Sequence, residues 1–174
     1  IRSVIVRSIL DRTIFVLGRA VSVAAPAGLL IWCMANIFVG DSSLLRICAD
    51  FLDPVGRFMG LDGIILMGFI LGFPANEIVV PIIIMGYMCS GNLTEMRNLT
   101  ELKMLLYQNG WTVTTALCVI TFSLLHFPCA TTCLTIFKET KSIRWTALAF
   151  ILPTVCGVLV CALIAGISNV VSFF

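Results

Sequence analysis

Charged side chains make up only 11% of the 174 residues, and histidine occurs once. A soluble globular domain carries roughly 25% charged residues. With 60% hydrophobic residues and a mean hydropathy of +1.10, a chain of this size cannot bury its apolar surface within itself. The solvent that accepts such a surface is a lipid bilayer. The 11 basic and 9 acidic residues leave a net charge of +2, and no basic stripe points to nucleic acid. Other signatures are missing too. No CxxC pair occurs among the eight cysteines, which removes zinc ribbons and thioredoxin-type motifs. All of them but Cys48 lie in strongly apolar stretches, where thiols pack as small hydrophobes. No GxxxxGK[ST] phosphate loop is present, so GTP binding and hydrolysis are not expected of this segment. The single histidine has no nucleophile, base and orienting group around it in sequence, which speaks against an enzyme. The chain opens on Ile1 and lacks the basic, apolar and small-residue pattern of a cleaved signal peptide. The expectation is one membrane domain, 1–174, cut from a longer protein.

What is present is a series of apolar stretches. Residues 1–19 carry Arg2, Arg7, Arg12 and Arg19 among aliphatic residues, a pattern that predicts a basic amphipathic helix on the membrane surface. Ala20–Val39 is uncharged and long enough to span, with a kink expected at Pro26. Over 41–62 apolar residues recur at threes and fours between charges, which predicts an interfacial amphipathic helix broken near Pro54. Gly63–Cys89 is apolar again, residues 90–110 read as a polar loop with a short helix, and Trp111–Phe137 is a third apolar stretch. After a charged turn over 138–144, Trp145–Phe174 is uncharged and long enough to span. The fold class expected is all-α: a polytopic membrane helical bundle with discontinuous or re-entrant helices.

Two of these stretches carry the same interruption, Phe-Pro followed by a small residue, at Pro74 and at Pro128. Proline removes an N–H and clashes with the carbonyl four residues back. Free backbone groups in lipid are tolerated only where protein or a water-lined cavity satisfies them. Paired interruptions are therefore the best pointer in a sequence to a transporter's binding site. After the first break, Asn76 is placed to cap a new half-helix beginning at Glu77. Pro81 has no N–H for the Glu77 carbonyl and reads as a further helix break. A carboxylate and a spare carbonyl near mid-membrane would attract a cation, and function is the default reading of an intramembrane carboxylate. Around the second break, His126, Cys129 and Cys133 would share one face if the helix were continuous, whereas a break at Pro128 would separate His126 from the two cysteines. One imidazole and two thiols suit a borderline-soft divalent metal, although a lone histidine in an apolar stretch is more often a packing residue.

Three blocks carry a family resemblance: GFPANEIVVPIIIMGY (Gly72–Tyr87), the run from Leu105 to Thr146 with LLHFPCATT and a following KET-x-S-x-basic-W-T, and residues 12–39. Together they resemble the FeoB family of ferrous-iron transporters over nearly the whole chain. The resemblance implies the second gate and C-terminal helices of a longer transporter. A cytoplasmic G domain, using GTP and Mg²⁺, and a first gate would lie elsewhere. It implies Fe²⁺ as the transported ion, with no permanently bound cofactor. By the same resemblance Glu77 falls on the family's gate glutamate and Cys129 on its Pro-Cys cysteine. The Ala75-Asn76-Glu77 tripeptide stands where many members have Ala-Lys-Glu, so Glu77 lacks that neighbouring cation. The expected partners are the lipid bilayer, the missing half with its G domain and first gate, and further copies of the chain. Nucleic acid is not among them. The expected location is the inner membrane of a bacterium. A nucleoside or small-solute permease and a non-transporting assembly subunit are the alternatives. Finally, the positive-inside rule puts 1–19 and 138–144 in the cytoplasm, which requires one intervening stretch to enter and leave on the same side. Gly63–Cys89, with two halves each too short to cross, is the stretch expected to do so.

Overall fold

The computed structural model describes residues 2–89 and 98–171, with the side chains of much of the first helix left aside. Helix α1 (Arg2–Asn36) passes through Pro26. The arginine-bearing face expected over 1–19 falls largely outside the described side chains, as does the loop over 90–97. Two short strands, β1 (Phe38–Val39) and β2 (Ser42–Ser43), form a small antiparallel ribbon turning at Gly40. Helices α2 (Leu44–Phe58), α3 (Gly63–Leu71), α4 (Val79–Met88), α5 (Leu99–Gln108), α6 (Val113–Leu125), α7 (Ala130–Thr140) and α8 (Ile143–Val171) follow. The chain is an all-α membrane bundle.

Helix α2 runs unbroken through Pro54, against expectation. Pro54 is exposed, so the carbonyl left without its donor lies on the outer face of the helix, where the loss costs less. Ser43 caps the start of α2, its hydroxyl accepting from the Arg46 amide. The chain then turns at Gly60, at φ +71°, and α3 leaves at 106° to α2. Asp62 caps α3 by accepting from the Ile65 amide at 2.7 Å, and Asp53 accepts from the Gly63 amide at 3.1 Å. A side chain at Gly63 would strike the carbonyl of Ala49, so only glycine lets α2 and α3 cross this closely.

Gly63–Cys89 is broken at Pro74, as its sequence predicts. Helix α3 stops at Leu71, and a turn and a short 3₁₀ helix (Asn76–Ile78) lead into α4. The chain reverses here. Ile64 lies against Gly86, Ile83 against Gly68, and Val79 against Gly72, so α3 and α4 form an antiparallel hairpin. With nine and ten residues at ~1.5 Å each, neither arm approaches the ~30 Å of a bilayer core. The hairpin is apolar nearly all round and mostly buried, with Ile70, Val80 and Met88 exposed. One side packs with Ile31 and Ala35 of α1 and Leu45 and Ala49 of α2; the other packs with Phe122 of α6 and Cys161 of α8.

The second interruption behaves differently. Helix α6 ends at Leu125 and α7 begins at Ala130, yet the two continue as a 28-residue apolar rod, Val113–Thr140. Among the described residues this rod and Ile143–Val170 of α8 are long and apolar enough to cross a membrane, and the bent pair α2–α3 counts as a third only if taken as one span. Reciprocal contacts between Cys118 and Cys161, each thiol donating to the other's carbonyl, fasten α6 to α8.

Candidate functional site

The two breaks meet. The amide of Ala130, first residue of α7, donates to the carbonyl of Phe73 at 2.8 Å. The amide is an orphan of its helix start, since the first amides of a helix have no partner within it, and the carbonyl belongs to the turn just past the end of α3. Pairing them satisfies both without water, which a lipid surrounding would not supply. Aromatic rings surround the join. Phe73 lies 5.8 Å edge-on to both Phe127 and Phe150, and Phe127 stacks on Phe150 at 4.9 Å. One layer away, Phe69 packs edge-on to Phe122 at 4.9 Å.

His126 sits against this layer. It caps the end of α6, leaves the helix in an extended conformation and is 9% exposed. Its ring lies 5.2 Å from Phe69 and 5.2 Å from Phe127. Nδ1 is 2.9 Å from the Ser123 carbonyl, and a carbonyl only accepts, so Nδ1 carries the hydrogen. Nε2 is then a lone pair, buried and without a partner.

Cys129 occupies the N-cap position of α7. Its sulfur is 3.1 Å from the Thr131 hydroxyl and 3.2 Å from that of Thr132, and it is partly exposed. Cys133 lies one turn on, its thiol directed at the Pro128 carbonyl at 3.5 Å. Of the two arrangements the sequence left open, the structure has the broken one: the imidazole belongs to the end of α6 and the thiols to the start of α7. Two expectations are corrected. Asn76 caps no half-helix, because it is itself the first residue of the short 3₁₀ turn, whose N-cap position is Ala75. Pro81 breaks nothing, because it lies in the first turn of α4, where a helix needs no amide donor. Glu77 is exposed just beyond the first break.

A cavity of about 310 Å³ opens beside the hairpin, with Asn76, Ser123 and His126 as polar edges on walls that include Phe69, Ile83 and Leu106. Asn76 and His126 thus border the same cavity, while Glu77, Cys129 and Cys133 are not among its lining residues. Among the described residues no three His, Cys, Asp or Glu side chains converge as a metal site.

The sequence reading missed a polar triad at the open end of the hairpin. Tyr87 of α4 donates to the Asp62 carboxylate, and the Trp111 indole donates to the Tyr87 oxygen at 2.7 Å. Asp-Gly before an apolar run is a helix-start signal that would have singled out Asp62.

Comparison with known proteins settles the family. The family model described as Gate, nucleoside recognition, matches residues 8–143, a span containing both breaks. The chain belongs to this gate family. Within it the chain is a FeoB-type gate: the Fe(2+) transporter FeoB of Staphylococcus aureus strain MSSA476 and that of strain COL are each 32% identical over 136 residues, covering 72% of this chain. The chain spans only 19% of the length of these curated relatives. No solved structure matches it. In this chain the matched span holds two Phe-Pro breaks that share one hydrogen bond, one folding back and one running on.

Proposed function

We propose that this chain is the second gate of a ferrous-iron transporter in a bacterial plasma membrane, and that Fe²⁺ crosses where the two breaks meet. The observation that supports this most is the Ala130 amide on the Phe73 carbonyl. It joins two irregular segments inside apolar elements, the arrangement by which transporters present backbone oxygens and helix ends to an ion. The Cys129 thiol stands beside that join and Glu77 a few residues from it in sequence. A sulfur and a carboxylate with backbone oxygens make a donor set that suits Fe(II). The rest of the coordination sphere comes, in this reading, from the first gate elsewhere in the transporter. GTP hydrolysis with Mg²⁺ belongs to a separate G domain, and this chain holds no permanent cofactor. Lipid, the first gate, the G domain and further copies of the chain are its partners.

The test is uptake of Fe²⁺ by the full-length protein in a strain lacking other iron uptake. Cys129→Ser replaces a soft ligand by a harder one, and uptake should fall on the order of tenfold or more. Glu77→Gln should impair uptake with expression intact. Cys161→Ser, deep between α6 and α8, should transport nearly as wild type. Equal uptake by the Cys129 and Cys161 variants would assign Cys129 to packing.

The cavity of about 310 Å³ supports a second reading, a permease for a nucleoside or small solute, because its apolar walls carry a few polar edges. Thermal stabilisation of the protein by nucleoside, and not by Fe²⁺, would favour it.

A further inference from the structure

His126 poses a problem that packing does not solve. A histidine serving only as filler satisfies both ring nitrogens, or lets one reach water. Here Nδ1 is tied to the Ser123 carbonyl, while Nε2 is buried with no partner. A hydrogen bond from Nδ1 to a backbone carbonyl also fixes the tautomer and ring direction, and this is how proteins prepare a histidine to bind metal through Nε2. Three rings surround the imidazole: Phe69 and Phe127 at 5.2 Å, and Phe122 at 6.0 Å. They come from both interrupted stretches. Phe69 belongs to the hairpin, and Phe122 and Phe127 flank the second break.

Phe69 and His126 also both border the cavity that contains the Asn76 amide. Moving the hairpin away from the second break would part the Phe73–Ala130 bond and draw Phe69 off the imidazole. Nε2 would then be uncovered beside a cavity that Asn76 also borders.

We propose that His126 is a latent ligand for the transported divalent ion: the phenylalanine cage covers Nε2 while the two breaks are joined, and their parting opens it to the cavity shared with Asn76. The inference rests on the transport reading and adds to it a ligand that is offered in only one arrangement of the gate. An imidazole with an amide oxygen favours a borderline transition-metal ion over Mg²⁺.

Labelling of the full-length protein in detergent tests this. Diethyl pyrocarbonate modifies an accessible imidazole nitrogen, and peptide mass spectrometry resolves His126 from any other histidine. In the wild type His126 should label slowly. Phe127→Leu and, separately, Phe69→Leu should each label several-fold faster. Adding Co²⁺ to either variant should restore protection, Mg²⁺ should not, and Asn76→Ala should weaken the Co²⁺ effect. Rapid labelling of the wild type, or labelling of both variants that Co²⁺ leaves unchanged, overturns the inference. Failure here is separable from failure of the transport reading. Lost Fe²⁺ uptake in Cys129→Ser, with no Co²⁺ protection at His126, removes the latent ligand and keeps the transporter. Co²⁺ protection with unimpaired uptake in Cys129→Ser keeps the site and removes the proposed iron path.

Discussion

The amide of Ala130 and the carbonyl of Phe73, 57 positions apart in the sequence, share one hydrogen bond of 2.8 Å across two helix breaks. The bond can be removed cleanly. Ala130 is the first residue of α7, where proline is well tolerated, and Cys129 before it already has the extended backbone, φ −62° and ψ 160°, that a following proline demands. Ala130→Pro should therefore keep α7 and lose the link. The expected result is a folded protein destabilised by about 1 kcal/mol or somewhat more, with impaired Fe²⁺ uptake. Thermal unfolding in detergent and uptake in cells measure the two effects. Unchanged stability and uptake would mean that the breaks meet without depending on each other.

Glycine positions separate close packing from open surface. A side chain at Gly63 has the Ala49 carbonyl in its way, and backbone cannot step aside as a side chain can. Gly63→Ala should cost at least ~1–3 kcal/mol, as overpacking does, and depress expression. Gly166, in α8, has nothing within 4 Å of the added carbon. Gly166→Ala should be neutral or stabilising by up to ~1 kcal/mol, as expected for a helix interior. Equal melting temperatures for the two variants would contradict the tight crossing of α2 and α3.

Which parts were legible in the sequence follows from the range of the forces involved. Helices, spans and both breaks depend on local composition, so Pro74 and Pro128 announced themselves. The same Phe-Pro pattern did not reveal that one break reverses the chain and the other does not. That outcome depends on what surrounds each break: α3 and α4 close into a hairpin because Gly68, Gly72 and Gly86 admit the opposing arm, whereas α6 and α7 are both held along α8. Pro54 and Pro81 show the limit of a proline rule, since an exposed position and a first turn each tolerate the missing N–H. Whether His126 shares a face with Cys129 and Cys133 could not be read from spacing for a related reason, because helical spacing has no meaning across a break. The triad of Asp62, Tyr87 and Trp111 joins groups 24 and 25 positions apart, and no periodicity carries such a contact.

That triad should matter for stability. Tyr87→Phe removes the hydroxyl that bridges the Asp62 carboxylate and the Trp111 indole. Each neighbour would lose a partner in a partly buried place, at a cost of about 1–3 kcal/mol. Trp111→Phe should show less than additive loss when combined with Tyr87→Phe, because both break the same network. Additive losses in a thermal-unfolding cycle would show that the two hydrogen bonds act independently.

Topology is the last expectation to be tested, and the hairpin gives it a structural basis. Arms of nine and ten residues reach about 14 and 15 Å at ~1.5 Å per residue, half a bilayer core, and antiparallel packing returns the chain to the side it left. Between α5 and the turn after α7 there is then one crossing, the Val113–Thr140 rod. Thr100 and Ser142 should lie on opposite faces of the membrane. The positive-inside rule assigns the cytoplasm to the turn bearing Lys138, Lys141 and Arg144, so Thr100 should be outside. Single cysteines at these positions, in a background with Cys89 and Cys156 replaced, should react with an impermeant maleimide from opposite sides, Thr100→Cys in intact cells and Ser142→Cys only after permeabilisation. Reaction of Thr100→Cys only after permeabilisation would mean that Gly63–Cys89 crosses the bilayer after all, and that the basic turn lies outside against the rule.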